Sequence, residues 1–129
     1  MSAAGLTQRA RRSIPSPMLV YKIFRAGEFA AFKAAGVSSG APVDLADGYI
    51  HLSTAEQAPE TLARHFAGET GLVMLAIETD RLGPDLVWEP SRGGALFPHL
   101  YRALGAADVV WSAPIPLQGG RHLMPAPPA

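Results

Sequence analysis

The sequence contains no cysteine. That absence removes disulfides, cysteine-ligated zinc, iron–sulfur clusters and thiol nucleophiles, so the core must rest on aliphatic and aromatic packing. Net charge is absent as well, since 11 basic side chains balance 11 acidic ones. A neutral chain has no global field to draw it onto nucleic acid or an anionic membrane, and no DNA partner is expected. No apolar run approaches the ~20 residues that span a bilayer, so no membrane partner is expected either. Several chemical signatures are missing too. There is no phosphate-cradling Walker loop and no G-x-G-x-x-G. No H-E-x-x-H or H-x-x-x-H spacing supports a metal site, and none is expected.

What remains is a chain of 129 residues, 48% hydrophobic and 17% charged, which is the balance of one small globular domain. Residues 1–17 carry Arg9, Arg11 and Arg12 and no acid. They lack the apolar stretch of a secretory signal and are expected to form a disordered basic leader. Met18, just before the first strand-like run, is a candidate start of translation. From Gln118-Gly119-Gly120 onward, Pro125, Pro127 and Pro128 predict a tail, residues 118–129, without regular structure. The folded unit is therefore expected to span residues 18–117. With neither a secretory signal nor cysteine, a cytoplasmic location is expected.

Within that unit, Leu19 to Phe24 has the β-branched and aromatic composition of a strand. Glu28 to Ala35 reads as a short helix, with Phe29 and Phe32 one turn apart and Gly36 as its stop. Asp47-Gly48 predicts a turn into an extended segment, Tyr49 to Ser53. There, period two puts Tyr49, His51 and Ser53 on one face and Ile50 and Leu52 on the other. Ser53 with Glu56, and Thr54 with Gln57, both have capping-box spacing. Pro59 implies either a short turn before a helix or a kink within one, and Leu62 and Phe66 share that helix's face. Leu72 to Ile77 has the unbroken apolar profile of a strand buried on both sides, and Leu86–Glu89 and Val109–Trp111 read as further strands. Strands outnumber helices without strict alternation, which predicts an α+β fold.

Two segments are chemically richer than folding requires. In the first, Asp47 to Thr54, a strand runs into a helix N-terminus whose free amides and dipole suit a phosphate, with His51 beside it. The second, Glu89 to Tyr101, reads as mostly loop. It gathers Glu89, Arg92, His99 and Tyr101 around an Arg92-Gly93-Gly94 step that offers close backbone approach and a forked anion donor. A structural role competes at each position: a packed strand histidine for His51, an ion pair with Glu89 for Arg92, and a turn anchor for His99. Tyr21, Trp88 and Trp111 are expected as core or pocket-wall aromatics, and His65 and His122 carry no expected role.

These same two strings, Asp47–Gln57 and Trp88–Tyr101, resemble the small bacterial family known as domain of unknown function number 952, over about Met18 to Leu117. Some members bear a glutathione S-transferase-like label, which no thioredoxin-like βαβ opening supports here. The family is similar in fold to the ADP-ribosyltransferase superfamily, which implies bent, split antiparallel sheets with two or three short helices around an NAD cleft. On that resemblance, His51-Leu52-Ser53 corresponds to a His-x-Ser/Thr element: His51 would hold a ribose hydroxyl, Ser53 the nicotinamide amide, and Tyr49 would line the pocket. Glu89 would be the carboxylate opposing a ribosyl cation, so His51 and Glu89 are the catalytic candidates. Tyr49, Ser53, Thr54, Arg92, Gly93, His99 and Tyr101 are the ligand-binding candidates. The expected partner is a small nucleotide-like or phosphate-bearing ligand, with NAD as a substrate candidate. The alternative is a non-catalytic ligand-sensing or protein-interaction module.

Overall fold

The computed structural model describes residues 18–127. The predicted leader, residues 1–17, lies outside them, as do the last two residues and the side chain of Arg92. Ten short strands and four α-helices are described, and every strand pairing is antiparallel. This is a small α+β arrangement.

The first sheet has the order β1–β4–β8, built from Leu19–Phe24, Val73–Glu78 and Val109–Pro114. The composition of β1 puts its side chains to work on both faces. Val20 and Phe24, with Leu75 and Ile77 of β4, enter one core, and helix α1 (Ala26–Ala35) adds Phe32 to it. Ile23 and Met74 enter a second core under helix α3 (Ala58–His65), where they meet Ala58 and Leu62. Residues Met74–Ile77 are buried, as a continuous apolar run requires. Gly36 ends α1 in the left-handed conformation, with its N–H returned to the Phe32 carbonyl at 2.7 Å.

The second sheet has the order β3–β6–β5, from Ile50–His51, Leu96–Leu100 and Leu86–Pro90. Its inner face delivers Ile50 and Leu100 to the first core, joined by Leu52 just beyond β3. The two sheets meet at one bridge, where Tyr21 and Ser53 exchange backbone hydrogen bonds of 2.8 and 3.0 Å. The chain thus forms a surface of two three-stranded halves. Helix α3 covers one half of its outer face through Tyr21, Phe66 and Trp111. A two-stranded ribbon of β2 (Val37–Ser38) and β7 (Leu104–Gly105) completes the frame.

Three expectations are corrected and a fourth is narrowed. A helix, α2 (Pro42–Asp47), precedes Gly48 where only a turn was predicted. Its sole buried side chain is Asp44, so it shows no apolar periodicity. Residues 89–101 are not mostly loop: they form the β5–β6 hairpin, whose tip is tied by Ser91 N–H to the Ala95 carbonyl. The tail is not wholly irregular. Strands β9 (Leu117–Gln118) and β10 (Arg121–His122) pair around Gly119 and Gly120, whose positive φ angles suit a tight hairpin turn. Finally, of the two places expected for Trp88, core or pocket wall, its exposure excludes the core.

Candidate functional site

The uncovered half of the outer face carries the cluster. Pairing of His51 with His99, and of Val87 with His99, sets β3, β6 and β5 so that Tyr49, His51, His99, Tyr101 and Glu89 converge. Alternation on the strands, with Ile50 and Leu100 turned inward, leaves these polar groups outward. The Tyr49 ring is the hub: it stacks on His99 at 4.1 Å, tilts against His51 at 4.7 Å and lies 5.2 Å from Tyr101.

Beneath His51 lies a carboxylate that the sequence reading did not single out. Asp44 accepts Nζ of Lys22 at 2.6 Å and the Ala41 N–H at 2.7 Å. It also accepts the His51 N–H at 3.0 Å and pairs with His51 Nδ1 at 2.6 Å. Burial alone would push its pKa up; the His51 bond and the Lys22 charge outweigh this and hold it at about 2. An ionised Asp44 fixes the imidazole with a hydrogen on Nδ1 and the Nε2 edge outward, where Asp47 Oδ2 lies at 3.0 Å. Lys22 also donates to the His51 carbonyl at 3.3 Å. A signal for Asp44 was present in the sequence, since Pro42 and Asp44 occupy the first and third places of a helix start after Ala41. Lys22, centred in an apolar strand, implied a buried partner.

The second carboxylate pair faces the other way. Glu89 Oε1 receives His99 Nδ1 and the Tyr101 hydroxyl, each at 2.7 Å. The His99 and Tyr101 bonds hold the Glu89 carboxyl below its ordinary range. The same bond to Glu89 pushes the Tyr101 phenol up to about 12. Glu89 is therefore ionised at neutral pH, with Oε1 taken up.

Of the predicted site residues, then, Tyr49, His51, Glu89, His99 and Tyr101 come together. Ser53 does not join them. It lies beneath α3, where it is buried and its hydroxyl bonds Thr61 Oγ1 at 3.0 Å. Thr54 is committed locally, its amide donating to Gln57 Oε1 at 3.0 Å and its hydroxyl accepting the Gln57 N–H at 3.2 Å. Helix α3 starts only at Ala58, whose N–H goes to the Thr54 carbonyl. The predicted phosphate cradle beside His51 is thus corrected: a closed turn separates the strand from the helix N-terminus. Arg92 and Gly93 lie beyond Glu89 in the short 3-10 turn at the hairpin tip, where positive φ angles at Gly93 and Gly94 shape the reversal. Among the described residues, no group of three or more His, Asp or Glu is placed to hold a metal ion. None of the described helices is long and apolar enough to cross a membrane. An open cleft of about 210 Å³ adjoins the cluster, with Asp44 and Tyr49 on one side and Leu45, Leu100 and Arg102 among its other walls. Arg102 is engaged by Asp108 through two bonds of 2.9 and 3.1 Å.

The family described as protein of unknown function (DUF952) matches residues 23–112. The chain belongs to the DUF952 family. Similar solved structures are those of protein CC0527 from Caulobacter crescentus. Its crystal structure has a TM-score of 0.79 at 52% identity, over 81% of the DUF952 chain described here and 93% of that chain. Its solution NMR structure has a TM-score of 0.73, also at 52% identity, over 81% and 90% of the two chains. No curated protein gives a significant match.

Proposed function

We propose that the uncovered half of the outer face binds NAD, ADP-ribose or a related nucleotide. The observation that carries this reading is His51. A half-exposed imidazole, anchored by a buried carboxylate, lies beside the Tyr49 ring, and a ribose hydroxyl would replace the exposed Asp47 carboxylate that sits 3.0 Å from its Nε2. Tyr49 and Tyr101 offer flat surfaces to a base or nicotinamide ring. The adjoining cleft is smaller than the ~300 Å³ at which pockets for whole drug-sized ligands begin, so one ring or one ribose would fill it while the rest of the ligand crosses the open face. Two three-stranded halves joined at a single bridge are compatible with an ADP-ribosyltransferase-like layout, and a cysteine-free chain is compatible with the cytoplasm.

If the site transfers a ribosyl or phosphoryl group, Glu89 is the residue to oppose developing positive charge, because it is ionised and close to the ring cluster. The competing reading is a non-catalytic sensing or interaction module. Calorimetric titration of the full chain with NAD and with ADP-ribose tests both. Saturable binding that His51→Ala weakens about tenfold, ~1.4 kcal/mol, is the expected result. An absence of heat at millimolar ligand would refute the nucleotide reading. Glu89→Gln should abolish turnover and spare binding only if the site is catalytic.

A further inference from the structure

His99 and Tyr101 entered as ligand contacts, but their hydrogen bonds point elsewhere. Both donate to the same oxygen of Glu89, and neither bond exceeds 2.7 Å. The three groups come from different places. Glu89 sits on β5 opposite Phe97, His99 is two residues along β6, and Tyr101 follows that strand's end. Such diagonal neighbours on one sheet face lie within reach of long side chains. His99 is also only 3% exposed and its ring is stacked on Tyr49, so it is not free to swing toward a ligand. A carboxylate held at one oxygen by two donors from a rigid strand has its second oxygen aimed in a fixed direction.

We infer that His99 and Tyr101 are positioning residues, which fix Oε1 of Glu89 and leave Oε2 to face the ligand. The inference rests on the nucleotide-binding reading for the identity of that ligand. It makes Glu89 a fixed negative charge and not a proton donor. The described titratable groups that face Glu89 are His99, Tyr101 and, through its charge, Tyr49.

The test is an NMR titration of the Glu89 carboxyl carbon in the ligand-free full chain. Glu89 should titrate below an ordinary glutamate. Tyr101→Phe, a change at an exposed ring, should raise its midpoint by about half a pH unit. His99→Leu should raise it as well, and His99→Asn, which restores an N–H near Nδ1, should return most of the shift. The Tyr101 variant keeps the test decisive even if the buried His99 variants unfold. An unchanged midpoint in folded Tyr101→Phe would overturn the positioning, whatever NAD does. Shifted midpoints in a protein that binds neither NAD nor ADP-ribose would overturn the nucleotide reading and leave the positioning intact.

Discussion

The two imidazole–carboxylate pairs on the open face are built in opposite senses. In Asp44–His51 the carboxylate is fully buried and the imidazole is 34% exposed. In Glu89–His99 the imidazole is 4% exposed and the carboxylate 37%. In each pair the buried partner has been placed by the fold, and the exposed partner is the group a ligand can meet. Burial of a charged group is tolerated only with dense compensation, which is why Asp44 collects four hydrogen bonds, one of them from a lysine. His99 is buried with one strong bond, to Glu89, and with the Tyr49 ring stacked on it. The face therefore presents an imidazole and a carboxylate, each oriented from beneath by the other type of group.

The contrast predicts unequal costs. Asp44→Ala should be the most damaging single change, because it strands the Lys22 ammonium and the Ala41 and His51 donors in the interior. Breaking a buried pair in this way costs about 3–5 kcal/mol, measurable by urea denaturation. A loss close to that of Glu89→Gln would break the comparison. Gly40→Ala should come next. A Cβ there would meet the Asp44 carboxylate oxygen, and the residue holds φ at +106°, so overpacking and backbone strain together should cost about 2 kcal/mol or more. The same substitution at Gly36, where a Cβ meets nothing within 4 Å, isolates the backbone part alone.

These positions also show what the sequence could and could not disclose. The strands β1 and β4 were legible because their composition is the direct print of burial on both faces. The alternation of Tyr49 and His51 against Ile50 and Leu52 was legible for the same reason; Pro59 left open a short turn before the helix or a kink within it, and the Thr54–Gln57 turn ahead of Ala58 is the first of these. Helix α2 was hidden because Val43 and Leu45 are exposed while Asp44 is buried, the reverse of the pattern a periodicity reading seeks. Ser53 was misplaced because period two fixes which face a residue shares but not where a helix covers that face. The convergence of Glu89 with His99 and Tyr101 depends on hairpin register, which sets Glu89 opposite Phe97 and so near residues ten and twelve positions on, and leaves no local mark.

A smaller effect separates the pairs by acid. The Asp44 pKa is depressed from 3.8 to about 2, so its contribution is fully present above the unfolded value and is lost as pH falls through the folded one. The shift corresponds to about 2 kcal/mol, and urea midpoints between roughly pH 5 and pH 2 should fall accordingly, with a flatter profile in Asp44→Asn. A variant profile as steep as that of the wild type would show that other carboxylates drive acid unfolding.

The smallest stability effect belongs to Glu89. The amide oxygen of a glutamine can still accept from His99 and Tyr101, so Glu89→Gln should leave the urea midpoint close to that of the wild type. The substitution should nonetheless act on Tyr101, whose phenol is pushed up to about 12 by the bond to this carboxylate. All three tyrosines are pushed above the ordinary phenol value, Tyr101 to about 12, and that last ionisation should move back toward 10 in the variant, as read from phenolate absorbance. A large stability loss without that spectral change would reverse the assignment, making Glu89 the structural anchor and His99 the group held for a ligand. The expected pairing, an altered phenol on an equally stable fold, is what a carboxylate built for presentation requires.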